Sequence, residues 1–177
     1  PVAMAWDGNG VLYVVEMRTY MQTADATGEQ EPKSRISRHE DTNGDGKCDK
    51  VKIFADGLNI PTSFTFALGG IIVAHAPEFI FFKDTNGDDK ADVREVLFKG
   101  FGVGDTHAGP SNLRYGFDNW IYGTVGYSRF NGEVNGKKHN FGMGVFRFKP
   151  DGSDIEFLHQ FNNNTWGVGF NEAGDVF

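Results

Sequence analysis

The feature that most constrains the fold is one short pattern that the sequence repeats four times. Each copy has a short apolar segment, then a turn rich in Gly, Asn and Asp, then a second apolar segment. The aligned turn residues Gly10, Gly70, Asn119 and Gly174 recur with a period of about 50–60 residues, which is typical of repeat architectures. The paired segments are residues 3–6 with 11–14, 63–66 with 71–73, 112–115 with 120–122, and 166–170 with 176–177.

A second hairpin pattern occupies each interval between these copies, at residues 35–39 with 51–54, 79–82 with 93–98, and 145–148 with 155–158. Two hairpins per repeat predict an all-β fold, a partial β-propeller of four-stranded antiparallel blades. A β-sandwich also uses many short strands, but it needs no internal period. We expect a fragment of a larger propeller, with about three blades and the start of a fourth. The predicted blades are residues 1–57, 58–107, 108–162 and 163–177.

Composition narrows the class of function. The chain has 17 basic and 24 acidic residues with no basic cluster, which disfavours nucleic-acid binding. No apolar run approaches the length of a membrane span. The single cysteine, Cys48, excludes an internal disulfide and a cysteine-rich metal site, and no haem-attachment motif is present.

The long connections between strands are predicted to share one face. In an up-and-down blade the A–B and C–D turns leave one face, whereas the B–C and D–A connections leave the other. The connections at residues 17–34, 100–110 and 126–142 all belong to the second class, and varied loops on a rigid scaffold are typical of a binding surface. The residues expected on this face are Glu16, Arg18, Tyr20, His75, Asp105, His107, Tyr127, Arg129, Asn163, Asn164 and Trp166.

Two Asp-Thr-Asn-Gly-Asp turns are the sharpest local motifs. Their oxygen-bearing side chains alternate along a tight loop, as in calcium-binding loops, so each turn is a candidate for structural Ca²⁺. A polar hairpin turn without an ion explains the same pattern. Neither turn is an EF-hand, because strands flank both. The candidate ligands are Asp41, Asn43, Asp45 and Asp49 in the first turn, and Asp84, Asn86, Asp88 and Asp92 in the second.

Histidine and amide side chains are the candidates for chemistry at the loop face. His107, preceded by Asp105, lies among glycines in a long connection, where an imidazole could act as a general base. Alternatively, its ring only hydrogen-bonds a neighbouring loop. His75 either reaches the same face or packs between blades. Asn163, Asn164 and Trp166 suit recognition of a sugar or a planar cofactor, or form a turn followed by a core Trp.

Several stretches together carry a family resemblance. Residues 2–16, 40–49, 54–62, 104–107 and 164–167 resemble the glucose/sorbosone dehydrogenase-like propellers, and more narrowly the propeller of planctomycete-type "membrane-bound dehydrogenase" proteins. The resemblance implies a periplasmic or extracellular propeller, followed in many members by a c-type cytochrome domain. In the quinoprotein relatives a histidine deprotonates a sugar hydroxyl while hydride passes to pyrroloquinoline quinone beside calcium. His107 is the residue that matches this base.

The function expected from this resemblance is an oxidoreductase that acts on a sugar or other polyol, with Asp105 and His107 at the working face. Pyrroloquinoline quinone would be its cofactor, and electrons would pass to a haem domain beyond these residues. One alternative is a non-catalytic propeller that binds a glycan or a protein through the same face. Another is a calcium-dependent, lactonase-like hydrolase.

Overall fold

The computed structural model describes residues 1–177 and contains fourteen β-strands. The first blade comprises four strands in the order β1-β2-β3-β4. The only helical segment is a 3₁₀ turn at Thr106–Ala108, and no helix is long and apolar enough to cross a membrane. The strands of the first blade are β1 (Ala3–Trp6), β2 (Leu12–Glu16), β3 (Ser34–Glu40) and β4 (Lys50–Leu58).

The second and third blades repeat this antiparallel arrangement. The second contains β5 (Pro61–Ala67), β6 (Gly70–His75), β7 (Glu78–Lys83) and β8 (Val93–Lys99). The third contains β9 (Ser111–Tyr115), β10 (Ile121–Val125), β13 (Gly144–Phe148) and β14 (Ile155–Gln160). The predicted all-β fold of four-stranded antiparallel blades, a partial propeller, is therefore confirmed.

The connection between β10 and β13 is more ordered than the repeat pattern indicates. It forms a separate two-stranded hairpin, β11 (Phe130–Val134) and β12 (Lys137–Phe141). Asn135 and Gly136 form the turn that closes this hairpin. The hairpin bridges to the end of the second blade, where Phe101 pairs with Phe130.

Both turn residues of this hairpin are left-handed, with φ of 47° at Asn135 and 77° at Gly136. That combination matches the right-handed twist of the two strands, and Asn-Gly is the pair that adopts it most readily. The backbone amide of Asn131 then donates to the carbonyl of Gly100 at 2.8 Å, which attaches the hairpin to the segment after β8. The third long connection is therefore a rigid insertion rather than an irregular loop.

Blade-to-blade packing buries both faces of the second blade. Along β6, Ile71 and Val73 pack in the cluster shared with the first blade, whereas Ile72 and Ala74 pack in the cluster shared with the third. Successive side chains of a strand point to opposite faces, so a blade with neighbours on both sides needs a continuous apolar run. This explains why β6 reads as an unbroken apolar segment and not as an alternating one.

Residues 163–177, where we expected the start of a fourth blade, form only an isolated bridge between Phe170 and Val176. Two backbone hydrogen bonds of 2.9 Å between Gly169 and Phe177 flank this bridge. Val168 and Phe170 pack against the outer face of the third blade. The segment is thus a short hairpin that uses the third blade as its support.

The turn between the first two strands of each repeat requires a left-handed backbone, which explains the recurring Gly and Asn residues. Gly10, Asn119 and Gly174 have positive φ, as the sequence pattern predicts. The second blade differs, because its turn consists of Leu68 (φ 53°) and Gly69 (φ 74°). A leucine in the left-handed region is strained, since its Cβ approaches the following carbonyl.

Replacing Leu68 with Asn should stabilise the protein by about 0.5–1 kcal/mol, because Asn tolerates the left-handed conformation. Leu68 is exposed, so the substitution removes little apolar burial. The measurement is the urea midpoint of unfolding. Leu68→Ala is the control: it shortens the side chain without relieving the strain, and an equal gain in that variant would contradict the explanation.

Candidate functional site

The face that carries the long connections is held together by hydrogen bonds between them. The Ser128 hydroxyl donates to the carbonyl of Asp105 at 2.6 Å, and the Tyr127 hydroxyl donates to Asn163 Oδ1 at 2.6 Å. The backbone amide of Gly126 donates to the carbonyl of Ala108 at 3.0 Å. Gly126 has no space for a side chain, because a Cβ there would lie 1.7 Å from Asn164 Oδ1. We call this surface the loop face.

One buried carboxylate on the loop face, that of Glu29, belongs to none of the motifs that the sequence analysis identified. Glu29 lies within the 17–34 connection, and its Oε1 accepts a hydrogen bond from the amide of Met21 at 3.0 Å. Its Oε2 accepts from the Thr106 hydroxyl at 3.2 Å. Glu29 therefore ties the first long connection to the 3₁₀ turn that carries His107. In the sequence it stands among polar residues and looks like a solvated surface acid.

A cleft of about 260 Å³ opens on the loop face, and we call it the loop-face cleft. His107 and Tyr20 line it, with their rings in an edge-to-face arrangement at 5.3 Å between centroids. Trp166 lies in its wall and is 65% exposed. The sequence placed all three residues on one face, and the structure brings them to the same cleft.

His107 is accessible to solvent and has a carboxylate, that of Asp105, beside its ring. Nδ1 of His107 lies 3.7 Å from Asp105 Oδ1, and the side chain of His107 is 60% exposed. Asp105 also caps the 3₁₀ turn, because its Oδ1 accepts from the amide of His107 at 3.2 Å. Desolvation, with the nearby charges of Glu29 and Asp105, raises the pKa of Tyr20. Tyr20 therefore stays neutral over the physiological range.

A second and larger cleft of about 500 Å³ runs along the innermost strands β1, β5 and β9, and we call it the axis cleft. Thr62 and Trp166 line both this cleft and the loop-face cleft, so the two clefts adjoin. Polar residues of β5 and β9 line the axis cleft, among them Thr65, Asn112 and Arg114. Asn112 has a positive φ of 58° and donates to Ser111 and Thr124.

Several predicted site residues lie outside both clefts. Glu16 is paired with Arg35 at 2.9 Å; although burial opposes it, hydrogen bonds from Ser37 and Arg35 lower the pKa of Glu16. Arg18 and Arg129 are exposed and line neither cleft. Asn163 and Asn164 use their side-chain oxygens to bind Tyr127, and so hold the loops together.

His75 is buried at the end of β6 and lines neither cleft. Its Nε2 accepts a hydrogen bond from the backbone amide of Asn59 at 3.0 Å, and its Nδ1 has no partner. Burial lowers the pKa of His75, and the charge of Arg94 acts in the same direction while Glu78 opposes it. The neutral ring thus holds the connection between the first and second blades.

This environment predicts a loss of stability in mild acid. The unfolded chain binds a proton at His75 near pH about 6.5, whereas the folded ring binds one only at lower pH. The free energy of unfolding should therefore fall as the pH drops below about 6.5 and should not change through this group above it. His75→Gln, which keeps an acceptor for the Asn59 amide, should flatten that slope in urea unfolding measured across this range. An unchanged slope would show that another group is responsible.

The two Asp-Thr-Asn-Gly-Asp turns share one hydrogen-bonding scheme. Asp41 accepts from the amides of Gly44 and Gly46, both at 2.7 Å, while Asp49 accepts from Thr42. Asp84 and Asp92 make the equivalent bonds in the second turn, and Asn43, Asp45, Asn86 and Asp88 each accept an amide two residues ahead. No group of three or more acidic, His or Cys side chains converges as a metal site. Calcium at these turns stays a prediction.

Asp89 stands where the first turn has Gly46, and the structure shows what the carboxylate does there. It adopts a positive φ of 70°, and its oxygens lie 2.6 Å from Arg38 and 2.9 Å from Lys52. Lys50 lies 3.2 Å away. Hydrogen bonding from Lys52 is the largest of the effects that lower the pKa of Asp89. This ion cluster joins the outer strands of the first blade to the second blade.

No curated protein matches the chain. A family model, described as "Domain of unknown function (DUF7133)", matches residues 1–177, which is the full length of the chain. Because this model covers every residue described, the chain belongs to the DUF7133 family.

Proposed function

We propose that the protein is the propeller part of an oxidoreductase that acts on a sugar or other polyol in the loop-face cleft. The observation that carries this proposal is the grouping of an exposed imidazole, His107, with two aromatic side chains, Tyr20 and Trp166, in one cleft. Aromatic rings stack on the apolar faces of sugars, and an imidazole can take a proton from a hydroxyl near neutral pH. The resemblance to glucose/sorbosone dehydrogenase-like propellers supports the same reading.

In the proposed reaction His107 accepts the proton of the substrate hydroxyl as the carbon bearing it loses hydride. Asp105, at 3.7 Å from Nδ1, orients the ring and stabilises the imidazolium that forms. Glu29 holds Thr106, the residue before His107, and so positions the turn. The cleft side chains supply the base but no oxidant, so turnover would require a separate two-electron acceptor, such as an added dye, to take up the hydride.

Pyrroloquinoline quinone is the hydride acceptor that the family resemblance implies, and it would need ligands for its carboxylates and for calcium. The quinone is a flat polycarboxylate that is held beside calcium. The lining contains one arginine, Arg114, and no Asp or Glu that could ligate calcium. Glu16, the acid that the sequence offered as a ligand on this face, is paired with Arg35 instead. These residues do not fit the quinone with its calcium, so no step is assigned to either.

A glycan-binding propeller without catalysis is the second candidate, because aromatic side chains are exposed on the loop face. Trp166 is 65% exposed and Tyr127 is 48% exposed. Such rings, next to amides, are suited to sugar recognition with or without a reaction. Both candidates place the sugar on the loop face, and only turnover distinguishes them.

The test is turnover by the full-length protein with a panel of aldoses and polyols, measured by dye reduction with and without added quinone and calcium. We expect reduction with at least one sugar, and Trp166→Ala should raise KM about tenfold with a smaller change in kcat. Phe117→Ala, which removes an exposed ring outside both clefts, is the control. Saturable sugar binding without turnover would favour the glycan-binding candidate, and absence of both would contradict the proposal.

A further inference from the structure

The residues that line the axis and loop-face clefts include no acid, although the protein as a whole is acidic. The protein as a whole has more acidic than basic residues, with a net charge of −7. None of the residues lining either cleft is Asp or Glu, while Arg114 and His107 are both present. The only side chain there with a permanent charge is therefore positive.

Arg114 lies in the axis cleft without a charged partner. It is exposed, and it takes part in no ion pair, unlike Arg35, Arg38 and Arg147 on the outer strands. Arg114 is three residues beyond Ser111, the residue at the loop-face end of β9. At a rise of about 3.3 Å per residue, it lies about 10 Å along the strand from the loop face. An arginine side chain can cover much of that distance.

Uncharged polar residues line the same cleft as Arg114. Among them are Asn112 and Tyr115 of β9 and Thr65 of β5. At the His107 end, Asp105 lies beside His107 and Glu29 is buried behind Thr106. The field along the clefts therefore favours a negative group at Arg114 and a neutral hydroxyl at His107.

We propose that the substrate is an acidic sugar, of the uronate or aldonate class, whose carboxylate pairs with Arg114 while a hydroxyl lies at His107. This inference rests on the proposed function and names its substrate class. A guanidinium binds a carboxylate with two parallel hydrogen bonds, which fixes orientation as well as adding affinity. The hydroxyls of Thr65 and Tyr115, which line the same cleft, can bond the remaining oxygens of the sugar.

The experiment compares matched ligands by calorimetric titration of the full-length protein: glucuronate with glucose, and galacturonate with galactose. We expect the acidic member of each pair to bind at least about tenfold more tightly at low salt, and the difference to shrink as salt is added. Arg114→Gln should abolish the preference and leave the affinity for glucose unchanged. Arg114→Lys should restore part of it, because a point charge remains.

Arg94→Gln is the matched control, since Arg94 is an exposed arginine on β8 that lines neither cleft. It should keep the full preference. Equal affinity for acidic and neutral sugars, or a preference that survives Arg114→Gln, would overturn the substrate class but leave the proposed function standing. Absence of binding by every sugar would overturn both.

Pyrroloquinoline quinone also carries carboxylates that could pair with Arg114, so the protein is titrated with the quinone as well as with the sugars. If pyrroloquinoline quinone binds in a manner that Arg114→Gln abolishes, and acidic sugars show no preference, the carboxylate at Arg114 is that of the quinone. That result would overturn the acidic-sugar proposal. Preference for the acidic sugars in the absence of quinone supports it.

Discussion

Phe130→Ala should destabilise the third blade by about 3–5 kcal/mol, the range for removing a fully buried phenylalanine ring. Phe130 is 0% exposed, and its ring lies 4.8 Å from that of Phe101 and 4.9 Å from that of Phe141. Because these neighbours come from separate segments, the cavity cannot close by a local shift of one strand. The inserted hairpin would lose its attachment to the second blade.

Two measurements check this prediction. Urea unfolding gives the loss of stability, and amide hydrogen exchange at Asn131, whose amide is bonded to Gly100, reports the hairpin itself. Phe117→Ala is the control, because Phe117 is 77% exposed and should cost less than about 0.5 kcal/mol. A cost below about 1 kcal/mol at Phe130, with normal exchange at Asn131, would show that the hairpin is not anchored by this ring.

His107→Gln should lower kcat on the sugar substrate by about 10²–10⁴-fold, the usual contribution of a general base, with little change in KM. Glutamine fills a similar volume but cannot take up the proton. His107 is exposed and its ring contacts Tyr20, so the substitution should not alter folding. Initial rates and sugar binding, measured on the same preparation, separate the chemical step from recognition.

The control for this substitution is His159→Gln, an exposed histidine on β14 outside both clefts. It should leave the rate unchanged. A His107→Gln protein that kept more than about a tenth of the activity would remove His107 from the role of base. In that case the imidazole would serve to bind the sugar or to pack against Tyr20.

The sequence predicted the hairpins and the blade architecture well, because both depend on local chemistry. Short apolar segments form the strands, and residues such as Gly10 and Asn119 allow the left-handed turns between them. Its prediction for the 126–142 connection was less complete. Only Phe130, Val134 and Phe141 are buried in the inserted hairpin. The two phenylalanine rings anchor it only because Phe101 and Phe157 lie against them.

The candidate site was predicted in part. Tyr20, His107 and Trp166 meet in one cleft, whereas Glu16 and His75 are used in contacts within the scaffold. A charge in a sequence does not show whether its partner is a ligand or another side chain. The pairing of Glu16 with Arg35 depends on the register of β2 with β3, which the tertiary structure sets.

What the sequence determined by itself is therefore the repeat, its turns and the face on which the long connections lie. Only the tertiary structure decided that Glu29 holds Thr106, that Asp89 reaches Arg38 of another blade, and that Arg114 lies in a cleft without acids. Glu29 and Thr106 are 77 residues apart in the chain. Contacts at such separations arise from the packing of blades around the axis, and no local period or turn chemistry encodes them.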